Sequence, residues 1–294
     1  MPTCTGKRYA VVNAPREGAA TCWESVPVTR WRDDHGASAP CARPEPASDA
    51  IALETAVALS YNGLSHVVMM MTPADLEDFA LGFSLSEGIV ERPAQVYDIA
   101  TQAHAQGLEI AITLGNERLQ QLKDRRRNLA GRTGCGLCGA ESLDQAVRPV
   151  PAVACDTVIA TGAIQRALAL LDEWQPLQRA TGAAHGAAWC TSDGSIVLAR
   201  EDVGRHNALD KLIGALARAP QRRGEGFALV SSRASYEMVS KAAQAGIGIL
   251  VAVSAPTALA VRLAAQAGVT LVAFARAGRV SVYTRAERLA PCEN

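Results

Sequence analysis

Residues 227 to 275 read FALVSSRASYEMVSKAAQAGIGILVAVSAPTALAVRLAAQAGVTLVAFA, and this stretch decides the fold. It contains three short apolar runs, at 227–231, 249–254 and 270–275. Such runs are typical of strands that are buried on both faces, and the segments between them, 235–245 and 257–267, have the pattern of helices. Strands that alternate with helices in this way form a parallel sheet with right-handed crossovers. The stretch therefore predicts an α/β fold.

Polar side chains follow each of these strands. Ligands of parallel sheets bind beyond the carboxyl ends of the strands, which lie along one edge. At that edge the sequence places Ser231, Ser232, Arg233, Ser254, Arg276 and Arg279. Hydroxyl and guanidinium groups are suited to phosphate, so the edge predicts a site for a phosphorylated or nucleotide-bearing ligand. Ordinary surface charge is an equally good interpretation, since no Walker loop or dinucleotide-binding glycine motif is present.

Shorter patterns predict the elements before this stretch. Periodicity at 158–174 and 207–219 predicts two helices, and residues 186–191 and 195–200 predict a hairpin around Asp193-Gly194. Further upstream, two strands at 51–60 and 66–71 flank a tight turn at Asn62-Gly63.

A helix is expected to follow these strands, with Thr72 as its N-cap, Pro73 at its first position and its end at Gly88. Residues 1–48 are rich in Ala, Pro and Arg with weak periodicity, which predicts an irregular arm with one strand around 26–31.

These patterns divide the chain into four predicted units. They are an irregular arm at 1–48, a smaller N-terminal α+β subdomain at 49–130, a mobile cysteine loop at 131–140 and a C-terminal α/β domain at 141–294.

Composition excludes several classes of function. The 294 residues carry 29 Lys plus Arg and 29 Asp plus Glu, so no overall positive charge favours nucleic acid. The most apolar stretch, residues 249–275, is interrupted by Ser254, Pro256, Arg262 and Gln266, so we expect no membrane span. Eight scattered cysteines without a secretory signal predict a protein of the reducing cytoplasm.

The sequence GCGLCG at residues 134–139 places Cys135 and Cys138 among three glycines. A cationic run precedes the pair, formed by Lys123, Arg125, Arg126, Arg127 and Arg132. Nearby positive charge stabilises a thiolate, and glycine disfavours both helix and strand. The motif therefore predicts reactive cysteines on a flexible loop.

Two other interpretations of the cysteine pair stay open. Half of a structural zinc site has the same spacing, but no second closely spaced pair follows, and we expect no structural metal. A dithiol oxidoreductase is the other interpretation, although its motif usually opens a helix after an early strand.

Two further clusters carry polar side chains without a clear role. His185 lies in the small-residue sequence TGAAHGAAW at 181–189, and EDVGRHN at 201–207 brings both charge signs together. A single histidine is more often structural than catalytic, and Asp202 with Arg205 is expected to form an ion pair or a helix cap.

Zinc-dependent nucleobase deaminase chemistry is not expected. Its signature pairs H-x-E with P-C-x-x-C. Here Gln106 stands where the glutamate would act after His104, and Gly134 replaces the proline.

An ordered set of motifs resembles the formate dehydrogenase accessory sulfurtransferase (FdhD) family over roughly four-fifths of the chain. The set comprises TPADLEDFALGFSLSEGIV at 72–90, TGCGLCG at 133–139, TGAAHGAAW at 181–189, EDVGRHNALDK at 201–211, SSRASYEMVSKAAQAG at 231–246, VSAPTALAV at 253–261 and FARAGR at 274–279. The resemblance implies a cytidine-deaminase-like three-layer α/β core with a smaller N-terminal subdomain, and a homodimer.

The resemblance also implies a function and a site. A cysteine desulfurase would supply sulfur as a persulfide on Cys135, with Cys138 as its partner. The sulfur would pass to a molybdenum or tungsten bis-molybdopterin guanine dinucleotide before that cofactor enters formate dehydrogenase. By motif position the cofactor would bind at Phe274, Ala275, Arg276, Ala277, Gly278 and Arg279, and we add the strand-end residues Ser231, Ser232, Arg233 and Ser254, with His185.

A non-catalytic chaperone that holds the cofactor and docks on the apo-dehydrogenase is the alternative. The sequence leaves open which metal is bound, which dehydrogenase is served, whether one or both cysteines carry sulfur, and what His185, Asp202 and His206 do.

Overall fold

The computed structural model describes residues 22–32, 43–127, 150–220 and 225–291. Its strands are β1 (Trp23–Arg32), β2 (Arg43–Ala52), β3 (Thr55–Tyr61), β4 (Leu64–Met71), β5 (Val96–His104), β6 (Gly107–Leu114), β7 (Ile159–Ala160), β8 (His185–Thr191), β9 (Ile196–Asp202), β10 (Gly226–Val230), β11 (Ile249–Ala252), β12 (Thr270–Arg276), β13 (Arg279–Val282) and β14 (Leu289–Ala290). Its helices are α1 (Leu76–Ser86), α2 (Asn116–Arg127), α3 (Thr161–Leu171), α4 (Pro176–Thr181), α5 (Arg205–Arg218), α6 (Tyr236–Gln244) and α7 (Ala258–Ala267).

The central sheet has six strands in the order β13-β12-β11-β10-β8-β9. β10, β11 and β12 are parallel, which confirms the parallel sheet predicted for 227–275. β13 on one side, and β8 and β9 on the other, pair antiparallel. The hairpin predicted around Asp193-Gly194 is confirmed as β8 and β9.

Helices cover both faces of the central sheet. Leu250 on β11 packs in one buried cluster with Leu212 of α5 and Met238 of α6. Its neighbour Val251 faces the other way and packs in a second cluster with Ile164 of α3. Because successive strand residues point to opposite faces, the strand must be apolar at every position, as the sequence shows. The mixed α/β fold is confirmed.

The N-terminal sheet has four strands in the order β4-β3-β6-β5, and α1 packs on one face. β3 and β4 form the predicted hairpin, with φ of 47° at Asn62 and 78° at Gly63, the positive pair that a tight hairpin turn requires. β3 begins at Thr55, later than expected, because residues 51 and 52 belong to β2.

Two glycines bring α1 and α5 into backbone contact. A Cβ added at Gly82 would lie 1.7 Å from the carbonyl oxygen of Asp210, and one added at Gly214 would lie 1.8 Å from that of Asp78. Only glycine allows helix backbones to approach so closely. This crossing joins the N-terminal sheet to the helical layer of the central sheet.

The structure corrects the predicted start of α1. The helix begins at Leu76 after Asp75, whose φ is 53°, and Thr72 is not its N-cap. Thr72 is buried instead: its N–H donates to Asp202 Oδ2 at 3.1 Å, and its hydroxyl accepts from the N–H of Val203 at 3.1 Å. A tertiary contact thus uses the hydroxyl that the local pattern assigns to the helix. The predicted end is confirmed, with α1 closing at Ser86 before Gly88, whose φ is 63°.

The described part of residues 1–48 differs from an irregular arm. β1 and β2 pair antiparallel from Trp23 opposite Ala52 to Arg32 opposite Arg43, and β1 contains the strand expected around 26–31. The side chains of this ribbon are mostly exposed on both faces, so no alternation of polar and apolar residues marks it in the sequence. The predicted boundaries of the four units stay predictions.

The two remaining helix predictions are confirmed with shifted ends. α3 begins at Thr161, after the short strand β7, and continues into a 3₁₀ turn at Asp172–Trp174. α5 spans Arg205–Arg218. Across the described ranges, no helix is long and apolar enough to cross a membrane.

Candidate functional site

The carboxyl ends of β10, β11 and β12 meet along one edge of the central sheet, which we call the rim. Ser231 follows β10, and its Oγ accepts from the N–H of Gly186 at 2.9 Å. The N–H of Ser254 donates to the carbonyl of Ser232 at 3.4 Å, and the N–H of Phe274 donates to that of Ser254 at 3.1 Å. The expectation that these residues share an edge is confirmed, and their binding role stays a prediction.

Two rim residues adjoin in sequence but differ in exposure. Ser232 is almost fully buried, and its hydroxyl donates to the carbonyl of Arg233 at 3.1 Å. Arg233 itself is exposed, and within the described ranges it forms no ion pair. The charge of Arg233 therefore faces solvent, whereas the hydroxyl of Ser232 is used within the protein.

The turn at 274–279 has irregular backbone geometry, and hydrogen bonds from a neighbouring helix hold it in place. Phe274 has a φ of 49°, and the pairing of β12 with β13 shifts between Ala273 and Arg276. The side chain of Gln165 holds both sides of the turn: its Nε2 donates to the carbonyl of Arg276 at 3.1 Å, and its Oε1 accepts from the N–H of Gly278 at 2.8 Å.

The turn at 274–279 presents two cationic side chains to solvent. Arg276 and Arg279 are exposed, and neither forms an ion pair with another described residue. Ala277 and Gly278 are exposed beside them, and Ala275 is buried. An exposed turn with two uncompensated guanidiniums is suited to an anionic ligand.

A first groove of about 410 Å³ opens at the start of β8. Its polar lining comes from Gln175, Gln178, His185 and Ser231. Burial lowers the pKa of His185, and the nearby charges of Arg205 and His206 lower it further. The imidazole is therefore neutral at pH 7 and can donate or accept a hydrogen bond in this groove.

A second groove of about 500 Å³ runs beside the 274–279 turn. Its floor is apolar and is formed by Leu168, Ala169, Leu171, Val253 and Ala275. Asp172, Gln175 and Arg276 supply its main polar groups, so Gln175 lines both grooves. No sequence pattern singles out Asp172 or Gln175, because short connecting turns usually lie at the surface.

Behind the rim lies a buried ion pair that sequence reasoning missed. Lys211 Nζ lies 2.6 Å from Asp202 Oδ2, and both side chains are fully buried. Asp202 also accepts from the N–H groups of Thr72 and Gly204 and from Asn207 Nδ2, at 2.8–3.1 Å. Lys211 in turn donates to the carbonyl of Thr72 at 3.0 Å. Every acceptor position of the carboxylate is used, which leaves it a structural rather than a catalytic group.

The expectation that Asp202 and Arg205 form an ion pair or a helix cap is therefore wrong: the two do not pair, and α5 begins after Gly204 with no side-chain cap. Arg205 lies 3.9 Å from a carboxylate oxygen of Glu237, and Nε2 of His206 lies 2.7 Å from the same oxygen. The hydrogen bond from His206 holds the pKa of Glu237 below its usual value. Arg205 and His206 thus lie at the start of α5 and pair with α6.

Cys135, Cys138 and the predicted 131–140 loop lie outside the described residues. The chain leaves the described structure at the end of α2 and returns at Val150. The N–H of Val153 donates to the carbonyl of Ala267, at the end of α7, at 2.8 Å. Cys155 packs just before β11, where a Cβ on Gly248 would lie 2.4 Å from its sulfur. Residues 153–155 are therefore anchored at the amino ends of the parallel strands, opposite the rim.

Within the described ranges, no group of three or more His, Cys, Asp or Glu side chains could hold a metal ion.

Comparison with known proteins assigns this architecture to a family. The model of the FdhD/NarQ family matches residues 52–290. The chain belongs to the FdhD/NarQ family. The match spans β3 to β14 and includes both the rim and the cysteine pair. The family resemblance of the sequence motifs is confirmed.

Relatives within the FdhD/NarQ family are close. A "Sulfur carrier protein FdhD" from Cupriavidus necator is 55% identical over 262 residues, which cover 89% of this chain and 88% of the relative. A protein of the same name from Bordetella petrii is 52% identical over 242 residues, covering 82% and 87%. A crystal structure from Desulfotalea psychrophila, described as a formate dehydrogenase accessory protein, matches the fold with a TM-score of 0.66 at 24% identity, covering 90% of this chain and 99% of that one.

Proposed function

We propose that this FdhD/NarQ protein is a sulfur carrier in the maturation of formate dehydrogenase. One observation carries the proposal: a relative named as a sulfur carrier is 55% identical across 89% of the chain. The ordered motifs, including the cysteine pair at 133–139, support it.

The first chemical step that we propose is persulfide exchange at Cys135. A cysteine desulfurase presents a persulfide, and the Cys135 thiolate attacks its outer sulfur. A new S–S bond forms on Cys135 as the old one breaks, and the desulfurase cysteine leaves as a thiolate. No net oxidation occurs, so this step needs no further reductant.

Delivery then requires two electrons, because the outer sulfur of a persulfide must leave as sulfide. We assign them to Cys138, whose thiolate attacks the inner sulfur on Cys135 and forms a disulfide between the two cysteines. Hydrosulfide is released toward the cofactor, and a cellular dithiol reduces the disulfide for the next cycle. Both cysteines are therefore needed for turnover, although only one carries sulfur.

The substrate of this step is a molybdenum or tungsten bis-molybdopterin guanine dinucleotide bound at the rim. The exposed guanidiniums of Arg276 and Arg279, with Arg233, fit its phosphates. His185 and Ser231 lie at the neighbouring groove. Binding holds the metal in one place for sulfur delivery, which converts an encounter between two molecules into a local transfer.

A cofactor-binding chaperone is the second candidate, favoured by the uncompensated cations of the rim alone. Formate dehydrogenase activity in cells that express Cys135→Ala in place of the wild type separates the two. A carrier loses maturation, whereas a chaperone keeps it. Cys41→Ala, at a thiol that matches no family motif, is the control and keeps activity on either account.

The remaining expectations complete the proposal. We propose a cytidine-deaminase-like arrangement of the central domain, a homodimer, and a cytoplasmic site of action. A cysteine desulfurase and apo-formate dehydrogenase are the proposed protein partners, with no nucleic acid and no membrane.

A further inference from the structure

The ribbon formed by β1 and β2 carries its charged side chains on one face, which we call the charged face. Residues opposite each other in an antiparallel pair point to the same side, and neighbours along a strand point to opposite sides. The register therefore places all charged residues of the two strands together: Glu24, Arg30, Arg32, Arg43, Glu45 and Asp49. Arg30 forms an ion pair with Asp49, and Arg32 Nε lies 3.6 Å from Glu45 Oε2. These charges are thus largely compensated within the ribbon.

The opposite face, which we call the uncharged face, is open to solvent. It consists of Trp23, Ser25, Pro27, Thr29 and Trp31 of β1 with Pro44, Pro46, Ser48, Ala50 and Ala52 of β2. Trp31 is 65% exposed and Trp23 is 38% exposed. An exposed surface that lacks charge and carries tryptophan has the composition of the core of a protein interface.

The rest of the chain covers the other side of the ribbon. α4 lies against β2, and the half-buried apolar side chains Val26, Val28 and Ala47 belong to the charged face. Contact with the body of the protein therefore leaves the tryptophans of the uncharged face without a covering layer.

Prolines close the outer edges of the ribbon to a further strand. Successive N–H groups of a strand point alternately toward and away from the partner strand. Because proline has no N–H and the pairing of β1 with β2 is unbroken, Pro27, Pro44 and Pro46 occupy positions that point outward. A third strand would lack donors at these positions. A partner therefore approaches the uncharged face and not an edge.

The uncharged face is complementary to a second copy of itself. In a two-fold interface the same patch lies on both sides, so a charge near the axis meets an identical charge, and this face carries none. Its two tryptophans lie on β1, whereas β2 contributes smaller side chains such as Ser48 and Ala50. A two-fold axis along the ribbon places β1 of one copy over β2 of the other, which sets the large side chains against the small ones.

We propose that the uncharged face of the β1–β2 ribbon is the surface on which a second copy of this chain docks, ribbon against ribbon about a two-fold axis. Trp31 is the main anchor of the contact, since it is the more exposed of the two tryptophans. This inference rests on the homodimer proposed above and assigns its contact surface.

Sedimentation velocity of the full chain over a series of concentrations tests this surface. The wild type is a dimer, and Trp31→Glu raises its dissociation constant about 30-fold or more, the effect of losing one tryptophan anchor. Ile51→Glu is the matched control, because it adds the same charge at an exposed apolar side chain on the charged face of the same ribbon. This control keeps the dissociation constant of the wild type.

Circular dichroism of each variant verifies that the chain is folded. Should Trp31→Glu fail to fold, Thr29→Glu decides in its place, since its side chain is exposed on the uncharged face. Wild-type dissociation constants in the variants of the uncharged face overturn the proposal, and so does an equal loss of the dimer in Ile51→Glu. A wild type that is monomeric at every concentration overturns the contact surface and the homodimer together. Persulfide formation on Cys135 is measured separately, so each of these outcomes leaves the sulfur-carrier function to its own test.

Discussion

The Nζ atom of Lys211 lies 2.6 Å from Oδ2 of Asp202, and neither side chain is exposed to solvent. The pair joins three parts of the molecule, since Asp202 ends β9, Lys211 lies on α5, and both bond to Thr72 before α1. Such a buried pair holds the N-terminal sheet against the layer that carries the rim.

Lys211→Met should destabilise the protein by about 3–5 kcal/mol, because it leaves the carboxylate of Asp202 buried without its counter-charge. Urea unfolding measures the change. Arg262→Met, at an exposed cation on α7, is the matched control and should shift the free energy of unfolding by less than about 0.5 kcal/mol. If Lys211→Met lowered the free energy of unfolding by no more than the control, the ion pair would not be needed to stabilise the fold.

Gly214→Ala should also destabilise, by about 1–3 kcal/mol or more, because the new methyl group would overlap the carbonyl of Asp78. The sign of the change in the free energy of unfolding is informative, because replacing glycine by alanine in an ordinary helix interior stabilises a protein by roughly 0.5–1 kcal/mol. Thermal unfolding distinguishes destabilisation by overlap from stabilisation by helix propensity. A raised Tm for Gly214→Ala would contradict the close crossing of α1 and α5.

His185 makes the stability of the protein depend on pH. Burial holds its folded-state pKa below the ordinary value of 6.5, so the unfolded chain takes up the proton first as the pH falls. The free energy of unfolding should therefore decrease as the pH falls through this value. Denaturant unfolding at a series of pH values from about 7.5 to about 5.5 should show a shallower dependence in His185→Gln. Identical slopes for the two proteins would mean that His185 is not the titrating group.

Arg276→Ala should weaken GDP binding roughly 10- to 150-fold, the loss of a charge-assisted phosphate contact of about 1.5–3 kcal/mol. Calorimetry measures it, and the affinity of the wild type should fall with added salt more steeply than that of the variant. Arg262→Ala serves as the control for charge alone. Equal affinities of Arg276→Ala and the wild type would remove this residue from the site.

The sequence was sufficient for the central sheet because both of its faces are covered. Strands buried on two sides are apolar at every position, as at Leu250 and Val251. A continuous apolar run in the sequence is therefore enough to locate such a strand in the centre of the fold. The β1–β2 ribbon shows the opposite case. Its side chains face solvent on both sides, and no pattern records the pairing of Trp23 with Ala52.

The sequence predicted only those residues of the candidate site that follow the ends of parallel strands. Parallel strands place Ser231 and Arg276 on one edge by topology, so sequence order predicts their proximity. Asp172 and Gln175 reach the groove through a 3₁₀ turn whose direction depends on packing. The pairing of Lys211 with Asp202 depends on tertiary contact as well, although the two charged residues Asp210 and Lys211 within the otherwise apolar run 208–216 were an available signal.

Intact-protein mass spectrometry after incubation with a cysteine desulfurase and cysteine tests the central claim most directly. The wild type should gain about one sulfur mass that a reductant removes, Cys135→Ala should gain none, and Cys138→Ala should gain the sulfur and retain it. No gain in any sample, with the desulfurase shown to be active, would contradict the sulfur-carrier account.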